Sequence, residues 1–351
     1  MDLVIALDAM GGDNAPLAEV VGAVEAKRRW GVRTLLVGDE KQLKKELSRL
    51  KADGELPVLH ADEVVTMEDS AMSPIRRKRR SSLRLAAEAV REGEAAALVS
   101  AGNTGAVMAT AKLVVGGIEG VERPALAIWL SRETSPALLL DVGANSDCKP
   151  LHLEQFAVMG SVYASQVLAK KQPRIALMSI GTEEEKGNDL TREVFRVLQK
   201  SGLNFIGNAE GHDLFRDTAD VYVTDGFTGN MVLKAGESIY EFIGDILKKE
   251  FRSSIRTKIG YLLSKPVLES VKRKLDYAEY GGAFLLGVDA VTIICHGRSK
   301  PKAIMNALRM ARDLAVAGVN EKIAQEIKTV MKENGNGKTE GSNSRNGKVP
   351  S

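Results

Sequence analysis

The sequence predicts an α/β fold in which a large, mostly parallel sheet is covered by helices on both faces. Short apolar runs alternate with amphipathic segments along most of the 351 residues, and this alternation is typical of parallel strands joined by helical crossovers. The runs 124–131 and 136–142 follow each other with no helix between them, so we expect the sheet to be mixed. A chain of this length can bury one large core.

Each predicted strand is a short apolar run that ends in a polar or glycine-containing turn. In chain order these runs cover residues 3–8, 33–38, 57–61, 95–100, 124–131, 136–142, 174–181, 204–208, 221–225 and 291–296. The segments between them mix apolar and charged residues at helical spacing. They predict helices over residues 15–30, 40–51, 73–92, 104–115, 152–168 and 188–200, a long helix from about residue 228, and a helix over 300–332.

The composition is that of an ordinary globular protein and excludes several classes. The chain is 44% hydrophobic and 27% charged with a formal net charge of +3, so we expect no nucleic-acid partner. Cys148 and Cys295 are the two cysteines, which excludes a disulfide framework and indicates a reducing compartment. We find no apolar run of spanning length and no signal-peptide pattern, and therefore expect a cytoplasmic protein.

The predicted organisation is one α/β domain over residues 1–332 with a basic, amphipathic helical insertion near 245–275. A polar tail over 333–351 follows, and Val349 is its only sizeable apolar residue. Such a segment cannot bury enough surface to offset its chain entropy. We therefore expect the tail to be disordered.

A four-residue pattern, G-x-T-G, occurs twice at a predicted strand-to-helix turn, in "SAGNTGAVM" (100–108) and "TDGFTGNMV" (224–232). Such a turn exposes backbone N–H groups and a helix N-terminus, and both attract phosphate. Ordinary glycine-rich turns with a threonine cap are the alternative, and a match of four positions also arises by chance. The predicted phosphate-binding residues are Gly102, Asn103, Thr104, Thr228 and Gly229.

The loop "DAMGGDNAP", residues 8–16, follows the first predicted strand and contains Asp8, Gly11, Gly12 and Asp13. Three roles are open: a cation shared with Asp141, a glycine backbone that approaches a phosphate, or a turn before a helix. The chain has no HExxH motif, no Cys/His cluster and no GxSxG elbow. We therefore expect neither a metal nor a serine nucleophile.

Two further residues that follow predicted strands are candidate catalytic groups. Lys186, in "SIGTEEEKGND", can point into the crevice at the carboxyl ends of the strands, where α/β proteins bind ligands. The alternative is a solvated acidic loop. His296, in "ICHGRS", ends the last predicted strand, although a lone histidine is commonly structural.

Two stretches of the chain are strongly basic. Residues 76–80 are five consecutive cations at the start of a predicted helix, where the helix dipole disfavours positive charge; this hints at an acidic partner or ligand. Residues 248–274 hold nine lysines and arginines against two glutamates, which is typical of a helix that binds a membrane surface or an acidic partner. Packing against a second subunit is the alternative. One helical face here carries an apolar stripe of Leu247, Phe251, Ile255, Ile259 and Leu262.

Seven motifs, in order, resemble those of the bacterial phosphate acyltransferase (PlsX) family over roughly residues 1–320. They are "ALDAMGGDNAP", "SAGNTGA", "LLDVGAN" with "CKP" after it, "IGTEEEKGND", "FIGNAEG", "VTDGFTGN" and "YGGAFLLGV…HGRS". The resemblance implies a three-layer α/β/α fold with a large mixed sheet and pseudo-duplicated halves, like that of the isocitrate/isopropylmalate dehydrogenases. It also implies a homodimer that associates peripherally with membrane.

The implied reaction moves a long-chain acyl group from acyl carrier protein to inorganic phosphate, without a cofactor. The acyl-phosphate product feeds an acyl-phosphate:glycerol-3-phosphate acyltransferase in phospholipid synthesis. A short-chain phosphotransacetylase and a non-enzymatic phosphate-binding or scaffold protein are the alternatives. A dehydrogenase is disfavoured because the chain lacks a nicotinamide fingerprint and acidic metal ligands.

The resemblance also implies roles for the candidate residues. Lys186 would offset the charge of phosphate or of the oxyanion, and Asn230 would donate to the same oxygen. His296 or Asp225 would orient or deprotonate the phosphate. Gly11 and Gly12 would bring the opening loop close to the cleft, while the two aspartates of that loop hold its N–H groups.

Overall fold

Eleven strands form one mixed sheet in the computed structural model, which describes residues 3–132, 134–275 and 281–340. Ten of these strands overlap the predicted runs, so the predicted α/β class is confirmed. The strands are β1 Val4–Asp8, β2 Arg33–Gly38, β3 Val58–His60, β4 Ala97–Ser100, β5 Ala125–Leu130, β6 Ala137–Leu140, β7 Ile175–Met178, β8 Phe205–Ala209, β9 Val221–Val223, β10 Ala283–Leu286 and β11 Val291–Ile294.

Helices cover both faces of this sheet, as the three-layer prediction requires. They are α1 Leu17–Trp30, α2 Glu40–Arg49, α3 Ser73–Arg76, α4 Ser82–Arg91, α5 Thr104–Thr110, α6 Pro150–Leu168, α7 Asp189–Gln199, α8 Gly226–Arg252, α9 Ile255–Leu275, α10 Pro301–Val316 and α11 Val319–Glu340. A π-helical turn, Ala111–Val115, continues α5, and a 3₁₀ turn covers Gly211–Phe215.

Alternate residues of each strand belong to two separate cores, one on each face. In β1, Ile5 and Leu7 lie in the core that includes residues of α1, α6, α10 and α11, whereas Ala6 lies in the core that includes residues of α4 and α5. Strands buried on both faces are nearly continuous apolar runs. This explains why the sequence marks them clearly.

The sheet has two halves whose parallel strands point in opposite directions. The strand order is β3-β2-β1-β4-β11-β10-β5-β6-β9-β7-β8. Strands β1 to β4 and β11 are parallel to one another, and so are β6 to β9. Between the halves, β10 is antiparallel to β11 and β5, and β5 is antiparallel to β6. The carboxyl ends of the two halves therefore lie at opposite edges of the sheet.

The sequence did not predict β10, although its residues stand in the quoted motif "YGGAFLLGV". This strand is only four residues long and lies between Gly282 and Gly287. A Cβ on Gly282 would approach the backbone oxygen of Ile294 to 2.6 Å, so close strand packing requires the glycine. Together β10 and β11 connect the two halves.

Three predicted helices are divided or displaced. The helix predicted over 73–92 is two helices, α3 and α4, and the basic run 76–80 lies at the turn between them rather than opening a long helix. The helix predicted over 300–332 is interrupted at Gly318, which has φ +63°. The long helix begins at Gly226 rather than Thr228 and is followed by α9.

The last helix enters the segment that the sequence predicts to be a disordered tail. The backbone of α11 is helical as far as Glu340. The rest of the predicted tail, 341–351, lies outside the described residues. The boundary at residue 332 therefore stays a prediction.

Candidate functional site

The predicted site residues fall into two groups because the two halves of the sheet point in opposite directions. Edge A consists of the loops after β1, β4 and β11, at residues 8–16, 100–104 and 295–299. Edge B consists of the loops after β6, β7 and β9, at residues 141–148, 179–188 and 224–230. The two G-x-T-G turns lie on different edges, separated by the length of a strand, about 13 Å for four residues. One phosphate cannot contact both turns of one chain.

At edge A, Asp8 anchors the opening loop instead of facing a ligand. Its buried carboxylate accepts hydrogen bonds from Ser100 Oγ (2.7 Å) and the Met10 N–H (3.3 Å). A Cβ on Gly11 would lie 2.9 Å from Gly102 Cα, so the glycine allows the loops after β1 and β4 to touch. Asp13 N–H donates to Gly297 O at 2.9 Å. These contacts join the three loops of edge A.

Glu19, on α1, is a buried acid at edge A that the sequence analysis missed. Its side chain is 1% exposed, and Oε2 has no hydrogen-bond partner among the described residues. A Cβ on Gly12 would lie 2.5 Å from Oε1, so the glycine leaves room for this carboxyl group. Burial, together with the charge of Asp8, raises the pKa of Glu19 to about 7. A glutamate at a helical position gives no sequence signal for such burial.

The G-x-T-G turn of edge A is held by its asparagine. Asn103 Oδ1 accepts the Ala106 N–H (3.0 Å) and so caps α5, whereas its Nδ2 donates to Met67 O (2.9 Å) and Asp69 O (3.1 Å). Thr104 is exposed. The cap predicted for a threonine is therefore supplied by the residue before it.

His296 lies half-buried at edge A, far along the sheet from Lys186. Its Nδ1 accepts the Arg298 N–H at 3.1 Å, which fixes the ring within its own loop. Arg298 also pairs with Glu241 of α8 at 3.6 Å. Helix α8 therefore extends from edge B, where it begins, to the loops of edge A.

At edge B, Asp225 is the N-cap of α8 and already has local partners. Its carboxylate accepts the Thr228 N–H (2.9 Å) and the Thr228 hydroxyl (2.8 Å). A Cβ on Gly229 would overlap the backbone oxygen of Asp141. The second glycine of this turn is thus required for packing.

Asp141 organises the loop beside that turn and is a further residue that the site prediction omitted. Its carboxylate accepts hydrogen bonds from the backbone of Leu126, Gly143, Ala144 and Asn145 and from the Asn145 side chain, at 2.7–3.2 Å. Burial raises its pKa, and these donors oppose the shift. Asp141 lies at edge B, so it cannot share a cation with the aspartates of the opening loop.

Asn230 and Lys186 are two of several exposed polar side chains of edge B. Asn230 lies against Gly143, where an added Cβ would be 3.5 Å from Asn230 Oδ1. Lys186 follows β7, the neighbour of β9, and its stem occupies the space that a side chain on Gly181 would need, with Cγ at 2.8 Å. Both side chains therefore lie on adjacent loops at the same edge.

Edge B holds groups of both signs, since Glu183, Glu184 and Glu185 are exposed in the loop of Lys186. The N-terminus of the 27-residue helix α8, an exposed ammonium group and an exposed amide all favour negative charge. Cys148, in the same loop cluster, is half-buried, and burial raises its pKa to about 11. It is therefore a protonated thiol near neutral pH and a poor nucleophile. Among the described residues, no group of three His, Cys, Asp or Glu side chains is placed to hold a metal.

The predicted apolar stripe lies on α8 and α9 and is largely exposed in the single chain. Ile255, Ile259 and Leu262 are 76%, 54% and 67% exposed, whereas Phe251 is half-buried against Tyr261, with ring centroids 5.3 Å apart. Within the described part of the chain, every helix is too short or too polar to cross a bilayer.

The α/β fold is the one seen in phosphotransacetylases. A phosphotransacetylase from Streptococcus pyogenes superimposes with a TM-score of 0.63 at 15% identity, covering 90% of this chain and 94% of that one. The EutD phosphotransacetylase from Staphylococcus aureus gives 0.58 at 15% identity and the same coverage. At such identities the likeness concerns the fold alone.

The chain itself belongs to the family described as fatty acid synthesis protein, whose model matches residues 3–322. It is 49% identical over 324 residues to the phosphate acyltransferase of Geotalea uraniireducens, covering 92% of this chain and 94% of that protein. The phosphate acyltransferase of Geobacter sulfurreducens is 47% identical over 326 residues, with 93% and 94% coverage. The resemblance to bacterial phosphate acyltransferases is therefore confirmed.

Proposed function

We propose that this chain transfers a long-chain acyl group from acyl carrier protein to inorganic phosphate, and that the acyl-phosphate is used in phospholipid synthesis. The observation that carries the proposal is that the loop of Lys186 follows β7, the neighbour of β9, and that β9 leads into the first turn of α8 with Asn230. Family membership supports it, since the related proteins are named phosphate acyltransferases.

In the proposed reaction, a phosphate oxygen attacks the thioester carbonyl and forms a tetrahedral oxyanion. The C–S bond then breaks, and the thiolate leaves and takes up a proton. A thiol has a pKa of about 8.5, so its departure needs little acid assistance. The main barrier is to hold the phosphate anion next to the carbonyl oxygen that becomes an oxyanion. Fixed positive charge and N–H donors lower this barrier. Lys186 would supply the charge and Asn230 an N–H donor.

The turn 226–230 is the phosphate site that we favour, because it shares edge B with Lys186. Asp225 holds this turn through Thr228 and would orient the phosphate from there. The turn at Gly102–Thr104 and His296 lie at edge A, so in this proposal they act on a second part of the substrate or as structural elements.

The membrane and subunit proposals concern α8 and α9. We propose that the stripe of Ile255, Ile259 and Leu262 inserts into the surface of an anionic membrane, so that the product enters lipid without crossing water and meets the next acyltransferase there. Exposed apolar residues beside lysines and arginines support this proposal. Burial of the stripe between the two subunits of a homodimer is the alternative.

The proposed activity is tested by mixing the purified protein with a long-chain acyl carrier thioester and inorganic phosphate. We expect release of the carrier thiol that depends on phosphate and produces acyl-phosphate. Reactions without phosphate are the control, and an acetyl thioester tests the short-chain alternative. Absence of phosphate-dependent thiol release, or faster reaction with the acetyl thioester, would contradict the proposal.

A further inference from the structure

Three large apolar side chains are exposed at edge B and have no role in the proposed chemistry. Ile180, which follows β7, is 79% exposed, and Phe227 and Met231, in the first two turns of α8, are 64% and 57% exposed. We call these three residues the apolar patch. Single exposed apolar residues are common on soluble proteins, whereas several together mark a surface that binds an apolar group. The patch therefore indicates a ligand with an apolar part.

On α8, the two apolar side chains share a face with Asn230. Phe227, Asn230 and Met231 are related by three and four positions, and residues with these spacings are neighbours on a helix surface. The next positions on this face are polar or small, and they are Lys234, Ala235 and Ser238. They separate the apolar patch from the exposed apolar residues that recur on α8 over 239–247. The patch therefore belongs to edge B and does not continue the apolar surface of the rest of the helix.

Ile180 lies at the same level of the sheet as the start of α8. Strands β7 and β9 are parallel neighbours in which Leu177 pairs with Val223, so Ile180 and Gly226 stand equally far beyond that pair. Adjacent strands are about 4.8 Å apart. One extended hydrocarbon chain can therefore contact both Ile180 and the first turns of α8.

The Lys186 side chain borders Ile180 on the same loop. Its Cγ lies 2.8 Å from the position of a Cβ on Gly181, so the methylene stem folds back over the residue that follows Ile180. The loop is held in this shape because Asn208 Nδ2 and the Lys186 N–H both donate to Glu183 O, at 2.8 and 3.1 Å. A lysine stem adds apolar surface while its ammonium group stays in water. Edge B thus has apolar surface directly beside the groups that the proposed reaction uses.

We propose that the apolar patch binds the acyl chain of the thioester and sets the preference for long chains. The inference rests on the proposed function, in which Lys186 and Asn230 contact the reacting carbonyl group. The acyl chain begins at that carbonyl carbon, so its first methylene groups lie beside these two side chains. An apolar surface there stabilises each methylene that it covers, whereas a short acyl group covers little of it. The patch therefore supplies a selectivity for long chains that the polar groups of edge B cannot supply.

The test is the double variant Ile180→Ala/Met231→Ala, assayed with dodecanoyl and butyryl thioesters of the same acyl carrier protein. Phe227 stays in place because it lies in the turn that the proposed function assigns to phosphate. We expect the ratio of the two kcat/KM values, dodecanoyl over butyryl, to fall about tenfold or more, because contacts with several methylene groups are lost. The carrier is the same in both substrates, so its own contacts cancel in this ratio. Ile180→Val/Met231→Leu keeps the apolar surface and should retain the wild-type ratio.

Phe215→Ala is the control for loss of a large exposed apolar side chain. Phe215 is 64% exposed, as Phe227 is. It precedes Arg216, whose backbone oxygen accepts a hydrogen bond from Arg132 in the loop between β5 and β6. That loop precedes β6, so it lies at the opposite end of this half of the sheet from edge B. The control should keep the wild-type ratio, and gel filtration should show the same oligomeric state for all variants.

Three results would overturn the assignment of the apolar patch to the acyl chain. The first is an unchanged ratio in the double variant, which includes equal losses with both thioesters. The second is an equal fall of the ratio in Phe215→Ala. The third is a changed oligomeric state of the double variant, which would assign the patch to a contact between subunits. Absence of phosphate-dependent turnover by the wild type, or faster turnover of the butyryl thioester, would instead contradict the proposed function.

Discussion

The substitution Glu19→Gln should stabilise the protein at alkaline pH by removing a buried charge. Glu19 is 1% exposed and lies beside Gly12 and the buried Asp8. Burial raises its pKa from 4.5 to about 7, which means that the folded protein holds the proton more tightly than the unfolded chain does. Glutamine has nearly the same shape and cannot ionise.

The sign and size of this stability change follow from the linkage between proton binding and folding. Between pH 4.5 and about 7 the folded protein keeps a proton that the unfolded chain has lost, so stability falls as pH rises through this window. One pKa unit corresponds to about 1.4 kcal/mol. The ionisation of Glu19 therefore lowers the free energy of unfolding by about 1 kcal/mol at pH 5 and by about 3 kcal/mol at pH 8. The variant should gain these amounts relative to the wild type.

Urea unfolding followed by circular dichroism, at pH 5 and pH 8, measures the difference. Glu25→Gln is the matched control, because Glu25 lies on the same helix but is 39% exposed and should show little change. The reasoning is refuted if the gap between Glu19→Gln and wild type does not widen with pH. A variant that is less stable than wild type at pH 8 would mean that the ionised carboxylate is stabilising.

Three further predictions concern other parts of the molecule. Lys186→Ala and Asn230→Ala should each lower turnover about 10²–10³-fold in the phosphate-dependent thiol-release assay with folding unchanged by circular dichroism, as expected for loss of an oxyanion donor; wild-type turnover would contradict the role. Ile259→Asp should abolish flotation with anionic vesicles while gel filtration shows an unchanged oligomeric state, and equal flotation would exclude insertion through this stripe. Asp220→Asn should cost about 3 kcal/mol or more in urea unfolding at neutral pH, because the hydrogen bonds of Asp220 from Arg174 and Lys170 outweigh its burial and lower its pKa. This loss should disappear as pH falls through the pKa of Asp220, and a pH-independent loss would contradict the mechanism.

The strands and the fold class could be predicted because burial on both faces leaves a continuous apolar run in the sequence. The two main errors in the predicted elements also have physical causes. The four residues of β10 are too few to separate a strand from a loop, and nothing local in 73–92 shows that tertiary contacts of Lys78 and Glu63 hold a turn there. The helix propensity of residues 73–92 favoured a single helix, but the hydrogen bonds of Lys78 and Glu63 stabilise a turn instead.

The sequence placed the candidate residues in loops after strands, but it did not give their arrangement in space. Asp225, Thr228, Lys186 and Asn230 do share an edge, as expected for loops that follow parallel strands. His296 was grouped with these residues on the assumption that all strands point the same way. The direction of each strand is set by long-range pairing, such as that of β5 with β10, which the sequence does not show. Asp141 was considered only as a metal ligand. Four of its five hydrogen-bond donors belong to residues 143–145 of its own loop and one to Leu126, and the sequence does not show that this loop folds around the carboxylate.

The position of β10 and β11 has a consequence for how the chain is made. Val291 pairs with Ala97 and Phe284 with Ala127, so these strands join two sheets whose own strands leave the ribosome much earlier. Until these two strands emerge, the backbone hydrogen-bonding groups along one side of β4 and of β5 have no partner strand. Such groups are a template for incorrect association. The sheet can therefore be completed only late in biosynthesis, when this hairpin pairs with both half-sheets, and α10 and α11 follow it. Chains interrupted before residue 283 should depend on chaperones to remain dispersed.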